Sequence, residues 1–442
     1  MRFRYSTKEN GKLVRKAAVY TQNEHKINFP DVDSHAVLIT ERLQASGYET
    51  YIVGGAVRDL LLGKKPKDFD IVTAATPAKI KKVFRNARII GRRFRLVHVY
   101  FGPKIIEVST FRSMKDGPTS NTFGTIEEDV LRRDFSLNAL FYDPLKQIVV
   151  DYVDAMKDIK KRVIRPIIPL KDIFTDDPVR MIRAAKYGAM TGFKLPFALR
   201  RMIRRHSELL ASVSPSRLTE EIFKIINSLQ AREIVELLDD LGLYRYLQPH
   251  ADELFNSRPL FKDRYLASMG ALHREGAKGL HGESMLSLIR DYLEDEAVWD
   301  GKRSKVDEEH GHSLAERYKT AFFMARKFVL PMNPPRAELD SAVRLLFAEH
   351  GLSIKRTRFY EHSGRMPRFQ GAGKQADSGD VKSGAKSEGR ETIAVMDKDP
   401  FPARQGNGQY RNKMRHGRSR RAEPSAEPSN HGSEKPGLIN PV

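Results

Sequence analysis

The chain has 442 residues, 40% of them hydrophobic, and a mean hydropathy of −0.50, which fits two to four compact domains rather than a membrane protein. Its apolar runs stop far short of the roughly 20 residues that cross a bilayer, and we see no secretory signal pattern near the amino terminus. It has no cysteine, which excludes disulfides and thiolate chemistry and leads us to expect a reducing compartment, the cytoplasm.

The charge points to a polyanionic partner. The chain carries 77 Lys and Arg against 56 Asp and Glu, a net charge of +21 with a pI near 9.8. Residues 363–442 supply only 15 of the basic and 9 of the acidic side chains, so the first 362 residues are themselves basic. An excess of this size predicts binding to nucleic acid.

The amino-terminal part predicts a mixed α/β head. Residues 1–30 are polar and basic, and we expect a flexible segment there. Residues 31–152 alternate between helix and strand patterns. The predicted elements are a helix at 34–45, a strand at 50–53, a helix at 57–62, a strand at 69–73, a helix at 77–84, and strands at 95–101 and 105–111.

The remainder of the chain predicts helices and then a tail. Thr125 and Glu128 have the spacing of a capping box, and Asp177-Pro178 opens a helix that we expect to reach about residue 189. Residues 153–250 and 251–363 form two predicted helical regions, and residues 364–442 a disordered basic tail. The predicted fold class is therefore α+β.

The strongest local signal runs from Tyr51 to Ile71. Gly54-Gly55 leaves a strand and enters a helix, so that backbone N–H groups and Arg58 can face a phosphate. Asp68 and Asp70 stand two apart on a strand, so both carboxylates project from one face. Two such charges repel each other unless cations lie between them, and two Mg²⁺ ions roughly 3.5 to 4 Å apart would neutralise them.

This stretch resembles the signature of the nucleotidyltransferase superfamily that includes DNA polymerase beta, where a glycine pair precedes an acidic pair. The resemblance implies a polymerase-beta-like head with Asp68 and Asp70 as catalytic metal ligands. A third carboxylate usually completes such a site, and both Glu107 and Asp134 are candidates. Glu107 could instead pair with a basic residue across the sheet, and the sequence does not choose between the two.

A second block, from Arg132-Arg133-Asp134 to Asn138, resembles the second motif of the class II nucleotidyltransferases. That group contains the bacterial CCA-adding enzymes and the bacterial poly(A) polymerases. The resemblance implies that Arg132, Arg133 and Asn138 contact a nucleoside triphosphate. The alternative is a helix end with ordinary surface arginines.

A third block resembles the helix with which that group reads the nucleobase. Asp177, Arg180 and Arg183 are spaced to share one helix face, and their acceptor and donors suit the edges of adenine and cytosine. Asp177 could simply cap the helix, since Asp before Pro is a common cap. The segment 214–221 resembles the fifth motif of the group and contains Arg217, an expected RNA contact; it could also be a capped helix start.

The segment from Gly91 to His98 is similar to the stretch that marks the bacterial poly(A) polymerase branch. Asp154-Ala155 also departs from the Gly-Gly form of the CCA-adding branch. Six basic residues without an acid occupy 411–421, which suits RNA binding without sequence preference. A basic edge strand and a solubility tail are the alternatives. The predicted RNA contacts here are Arg92, Arg93, Arg95, Arg411, Lys413, Arg415, Arg418, Arg420 and Arg421.

Together these resemblances imply a template-independent poly(A) polymerase, a polynucleotide adenylyltransferase of mRNA processing and transcription. ATP is the expected substrate, two Mg²⁺ ions the expected cofactors and RNA 3′ ends the expected partner. RNA-decay or RNA-chaperone proteins are further partners that the residues do not identify, and no membrane is expected. The alternatives are a CCA-adding tRNA nucleotidyltransferase and a non-catalytic RNA-binding regulator.

Overall fold

A computed structural model of the chain describes residues 2–7, 12–91, 96–113, 122–271, 282–296 and 314–354. Over these residues the predicted α+β class is confirmed, with a nine-stranded mixed sheet and a helical body. The predicted tail at 364–442 lies outside the described residues. No helix in the described part of the chain is long and apolar enough to cross a membrane.

The strands in chain order are β1 Arg2–Thr7, β2 Leu13–Thr21, β3 Thr50–Val53, β4 Asp70–Thr73, β5 Ala87–Ile90, β6 Leu96–Phe101, β7 Lys104–Thr110, β8 Leu140–Asp143 and β9 Ile148–Asp151. The predicted strands of the head are thus confirmed to within one residue at most ends. Short 3₁₀ helices occupy Phe29–Asp31, Ser136–Asn138 and Ser207–Ser212.

The α-helices are α1 Gln22–His25, α2 Ser34–Ala45, α3 Gly55–Leu61, α4 Pro77–Val83, α5 Ile126–Leu131, α6 Ala155–Lys161, α7 Ile173–Asp176, α8 Val179–Thr191, α9 Phe197–His206, α10 Pro215–Ile226, α11 Ala231–Asp240, α12 Tyr244–Leu247, α13 Pro249–Ser257, α14 Pro259–Ala271, α15 Glu283–Asp295, α16 Leu314–Phe328 and α17 Arg336–Glu349. The capping box at the start of α5 is confirmed, because the Thr125 hydroxyl accepts from the Glu128 N–H and the Glu128 carboxylate accepts from the Thr125 N–H.

The sheet has the order β1-β2-β9-β8-β3-β4-β7-β6-β5. Its described neighbours run antiparallel except for β4 and β7, which are parallel. Asp70 of β4 stands opposite Glu107 of β7, and Glu107 stands opposite His98 of β6. Since residues opposite each other on paired strands point to the same face, these three side chains form a row across the sheet.

The two faces of the sheet bury different clusters. One face packs Ile52 and Ile71 against α2 and α4. The other packs Val53 and Phe141 with Ile126 of α5. Asp70 is two residues from Val72 of this second cluster, so α5 covers the face on which Asp70 lies.

The predicted flexible segment 1–30 is wrong for most of its length. The strand β1 pairs with β2, β2 pairs with β9, and Ala17–Tyr20 are buried. The polar and basic surroundings of this stretch concealed a short apolar run, whose side chains enter the buried clusters on both faces of the sheet. The prediction treated overall composition as decisive where four residues sufficed to hold a strand.

The helical body shares its core with the end of the head. Phe135 and Leu137, which follow α5, belong to the same buried cluster as Ile182 of α8 and residues from α10 to α17. The candidate site therefore lies where the sheet gives way to the helices. The predicted division of the helical part near residue 250 stays a prediction.

Candidate active site

The turn after β3 brings the chain against Asp70. Gly54 has a φ of +71°, a left-handed conformation that glycine adopts without strain, and α3 begins at the next residue. A Cβ at Gly54 would lie 3.7 Å from the Oδ2 of Asp70. The start of α3 and the carboxylate thus meet where β3 ends and β4 begins.

Asp68 and Asp70 carry their charges without a partner. Both are exposed, and neither has a hydrogen bond or an ion pair among the described residues. Desolvation of Asp70 by the surrounding protein, together with the charges of Glu107 and Asp68, raises the pKa of this carboxyl group to about 6. The charge of Arg133 opposes this shift. A carboxylate group held this close to like charges is a site that a cation would stabilise.

The two candidates for the third carboxylate have different surroundings. Glu107 is the register partner of Asp70, and its Oε1 lies 3.2 Å from the Nε2 of His98. Asp134 accepts from the Phe135 N–H, and its Oδ2 lies 3.7 Å from the Nη1 of Arg183. Among the described residues no group of three or more His, Asp or Glu side chains stands ready to hold a metal ion as placed, so either role stays a prediction.

The predicted triphosphate residues meet at Asn138. Arg58 donates from Nη1 to the side-chain Oδ1 of Asn138 over 3.0 Å, and Arg133 donates from Nη1 to its backbone oxygen over 3.1 Å. The guanidinium of Arg58 also lies over the ring of Tyr187, 5.5 Å from its centre. The glycine-turn motif and the Arg-Arg-Asp motif, 74 positions apart at Arg58 and Arg132, are thus one connected cluster.

Both arginines of the second motif are held by a carboxylate that the sequence analysis missed. Asp129 is fully buried, and its two oxygens accept from Arg132 and Arg133 at 2.9 Å each. The signal was present, because an acid three and four residues before two arginines is the spacing of helical ion pairs. It was hidden beside the capping box of Glu128.

The predicted base-reading residues are engaged with the protein. Asp177 accepts from the Val179 N–H over 3.2 Å, which is the capping role left open above, and from Arg217 over 3.0 Å. Arg180 is buried and donates to the backbone oxygen of Ile173 over 3.1 Å. Asp177 and Arg217 therefore face each other, although the sequence assigned one to the base and the other to RNA.

Glu221 connects Arg183 to a buried lysine. Its Oε2 lies 2.7 Å from the Nζ of Lys186, and its Oε1 lies 3.4 Å from the Nε of Arg183. Burial opposes its ionisation, but Lys186 and Arg183 lower the pKa of Glu221 to about 2. Lys186 and Tyr187 were missed because the stripe of Arg180 and Arg183 was not followed one more helical turn.

The predicted RNA contacts Arg92, Arg93 and Arg95 lie outside the described residues, as do Arg411, Lys413, Arg415, Arg418, Arg420 and Arg421. Next to the first group, β5 is an edge strand of the sheet. Their role stays a prediction.

Comparison with known proteins agrees with the motifs. Residues 50–165 match the family model of the poly A polymerase head domain, and residues 192–255 match that of the probable RNA and SrmB-binding site of polymerase A. The first match contains the glycine turn, the carboxylates and Asn138. The predicted resemblance to the poly(A) polymerase family is confirmed over these residues.

Curated relatives include both branches. Poly(A) polymerase I of Escherichia coli O6:H1 is 43% identical over 253 residues, which cover 54% of each chain, and that of Haemophilus influenzae is 38% identical over 57% of this chain and 58% of its own. The CCA-adding enzyme of Latilactobacillus sakei is 34% identical over 59% of this chain and 64% of its own. This chain thus spans about half the length of the poly(A) polymerase I relatives that it matches.

Among solved structures, the crystal structure of the Bacillus stearothermophilus CCA-adding enzyme in complex with CTP is 25% identical to this chain. The match covers 71% of this chain and 82% of that one, with a TM-score of 0.48.

Proposed function

We propose that this protein is a template-independent poly(A) polymerase, which transfers AMP from ATP to RNA 3′ ends and releases pyrophosphate. One observation carries the proposal: the row of Asp70 and Glu107 lies at the glycine turn, beside the cluster in which Arg58 and Arg133 meet at Asn138. Anionic metal ligands and cationic phosphate ligands are thereby adjacent, which is what nucleotidyl transfer needs.

The carboxylates fit Mg²⁺, which prefers oxygen ligands. Asp68 and Asp70 have no ion pair among the described residues, and desolvation, followed by the charges of Glu107 and Asp68, raises the pKa of Asp70. We propose Asp68 and Asp70 as the ligands and Glu107 as the third carboxylate, with Asp134 as the alternative. Two bound ions would activate the attacking RNA 3′ hydroxyl and neutralise the departing pyrophosphate.

The protein's own groups bind and orient the triphosphate. The N–H groups at the start of α3 can face phosphate oxygens because Gly54 and Gly55 leave the approach open. Arg58, Arg132 and Arg133 supply positive charge at the same place. Arg58 and Arg133 are fixed by hydrogen bonds to Asn138, so they lose little freedom when the nucleotide binds.

Base choice would come from α8. Asp177 and Arg183 present an acceptor and a donor that suit adenine and cytosine and oppose guanine and uracil. To read a base, Asp177 would share its carboxylate with Arg217, and Arg183 would share its guanidinium with Glu221. Selection of ATP over CTP then depends on the size of the pocket, because a smaller cytosine leaves a polar group without its hydrogen bond.

The preference for poly(A) addition over CCA addition is supported by the relatives. Identity reaches 43% with proteins named poly(A) polymerase I and 36% with proteins named CCA-adding enzyme. The same relatives support RNA 3′ ends as the partner. Arg92, Arg93, Arg95 and the basic tail as RNA contacts, the cytoplasmic location and the role in mRNA processing remain predictions.

The deciding experiment is an incubation of the purified protein with labelled RNA and each nucleotide separately. With ATP and Mg²⁺, an RNA that does not end like a tRNA should gain many adenylates, and CTP should serve poorly. Addition limited to three nucleotides on a trimmed tRNA, with no long products elsewhere, would identify a CCA-adding enzyme. RNA binding without any addition would identify a non-catalytic regulator.

A further inference from the structure

Asp129 is a buried carboxylate between the two arginines of the second motif. Its Oδ1 accepts from the Nε of Arg132 over 2.9 Å, and its Oδ2 accepts from the Nε and Nη2 of Arg133 over 3.1 and 2.9 Å. Charge-assisted contacts from both nitrogens of one guanidinium edge fix its plane as well as its distance. One buried side chain, Asp129, therefore fixes the positions of both arginines.

A backbone contact ties Asp129 to the sheet. The Arg112 N–H, two residues beyond β7, donates to the Oδ1 of Asp129 over 3.3 Å. Burial opposes ionisation, but Arg133 and Arg132 hold the pKa of Asp129 below its usual range. The carboxylate therefore stays ionised near neutral pH and links α5 to the strand that carries Glu107.

Arg133 carries the effect of Asp129 to the rest of the cluster. While Asp129 holds one edge of its guanidinium, Nη1 donates to the backbone oxygen of Asn138, whose side chain holds Arg58. The same guanidinium lies over the ring of Phe141, 5.2 Å from its centre. Its positive charge also opposes the rise in the pKa of Asp70. One anchored arginine therefore faces both the triphosphate residues and the carboxylates.

We infer that Asp129 is a positioning residue, which orients Arg132 and Arg133 toward the triphosphate of the bound nucleotide. This inference rests on the proposed function of the site. Asp129 itself is enclosed and reaches the substrate only through the arginines. Three arginines meet here with two carboxylates, Asp129 and the Asp59 that pairs with Arg58 over 2.8 Å, so the cluster keeps one surplus positive charge for an anion.

Positioning and charge balance predict opposite results when Asp129 loses its charge. If Asp129 only reduces the positive field, its neutralisation should tighten the binding of a polyphosphate. If it orients the arginines, neutralisation should weaken that binding, because the new amide presents N–H groups where Arg133 needs an acceptor.

The test compares Asp129→Asn with Asp143→Asn. Asp143 is an equally enclosed carboxylate that accepts from the backbone N–H groups of Leu145 and Lys146 and takes no part in the site. We expect Asp129→Asn to raise the KM for ATP by about tenfold to a hundredfold with a small change in kcat, as for lost binding shared by ground and transition states. Asp143→Asn should leave both constants unchanged.

Inorganic tripolyphosphate serves as a probe of the triphosphate residues without a base. Its affinity, measured by calorimetry, should fall in Asp129→Asn by the same factor as the KM for ATP rises. An unchanged or higher affinity in the folded variant would overturn the inference. Should Asp129→Asn melt below the assay temperature, Asp129→Glu carries the test, because it keeps the charge, moves the carboxylate by one methylene and should still weaken tripolyphosphate binding.

The outcomes separate this inference from the proposed function. If the unaltered protein adds no nucleotide to any RNA, the proposed function fails, while tripolyphosphate binding still reports on Asp129. If the unaltered protein makes poly(A) and Asp129→Asn binds ATP and tripolyphosphate normally, only the inference fails.

Discussion

The candidate site has a carboxylate end, Asp68 and Asp70, and an arginine end, where Asp129 and Glu221 pair with arginines. The two ends hold their charges in opposite ways. Asp68 and Asp70 have no partner among the described residues, and the pKa of Asp70 is raised to about 6. Glu221 and Asp129 are enclosed, Glu221 contacts three cations and Asp129 two, and the pKa of Glu221 is lowered to about 2. One end is thus incomplete without a cation, while the other is complete before any ligand arrives.

The difference shows which charges destabilise the folded state and which charges stabilise it. Like charges held together cost free energy in the folded state, and a bound cation recovers it. Charge pairs enclosed by protein are costly to break, because removal of one member leaves the other without water or partner. The same substitution of acid by amide should therefore have opposite effects on stability at the two ends.

The largest expected effect is on catalysis at the carboxylate end. Asp70→Asn should slow AMP addition by about a thousandfold or more, because a metal ligand supplies several kcal/mol of transition-state stabilisation. RNA affinity should stay equal or rise slightly, since one negative charge is removed. Single-turnover rates and filter binding measure the two quantities, with Asp31→Asn as control, because the half-buried Asp31 accepts from Asn28 and takes no part in the site. Turnover at the normal rate in Asp70→Asn would refute the proposed mechanism.

At the arginine end, Glu221→Gln should lower the free energy of unfolding by about 3 to 5 kcal/mol, the cost of leaving a buried cation unpaired. The double variant Glu221→Gln with Lys186→Met should recover most of that loss, because both charges are then absent. Urea denaturation followed by circular dichroism measures both. A double variant as unstable as the single one would show that packing, and not charge, is what Glu221 provides.

The smallest expected effect is a pH-dependent gain in the thermal stability of Asp70→Asn. The pKa of Asp70 is about 6 in the folded state against 3.8 as its ordinary value, so its ionised form destabilises the metal-free protein. Asp70→Asn should then melt about 2 °C higher than the unaltered protein at pH 8, and the difference should vanish as the pH falls through 6 toward 4.

Magnesium supplies the control for that measurement. It should raise the melting temperature of the unaltered protein at pH 8 and have little effect on Asp70→Asn. Equal responses of the two proteins to Mg²⁺ would contradict the assignment of Asp70 as a ligand.

Short-range patterns made the head predictable from sequence. The glycine turn and the capping box of Thr125 depend on neighbours within about four residues, and the structure has the turn and the helix starts accordingly. The prediction that Asp68 and Asp70 share a strand is wrong for Asp68, because β4 begins at Asp70. The likeness of these motifs to a known family supplied the roles that the residues alone did not.

Long-range partners were not predictable. That Asp177 faces Arg217, and that Glu107 rather than Asp134 is the register partner of Asp70, depends on how distant elements dock. Periodicity within a segment reports only which side of an element is apolar. The strand β2 was missed for a related reason. Its apolar stretch forms a strand because it pairs with β9, which lies far away in the sequence.

The parallel pairing of β4 with β7 has a consequence for the order of folding. β3 with β4, and β6 with β7, are antiparallel pairs of strands close in the chain, the first joined by the segment that contains α3 and the second by Gly102-Pro103, so each pair can form early. Asp70 and Glu107 lie on opposite sides of the seam where these two pairs dock. The site therefore comes into existence only at that late step. On partial denaturation, the titration of Asp70 should return to that of an ordinary carboxyl group before either antiparallel pair has melted.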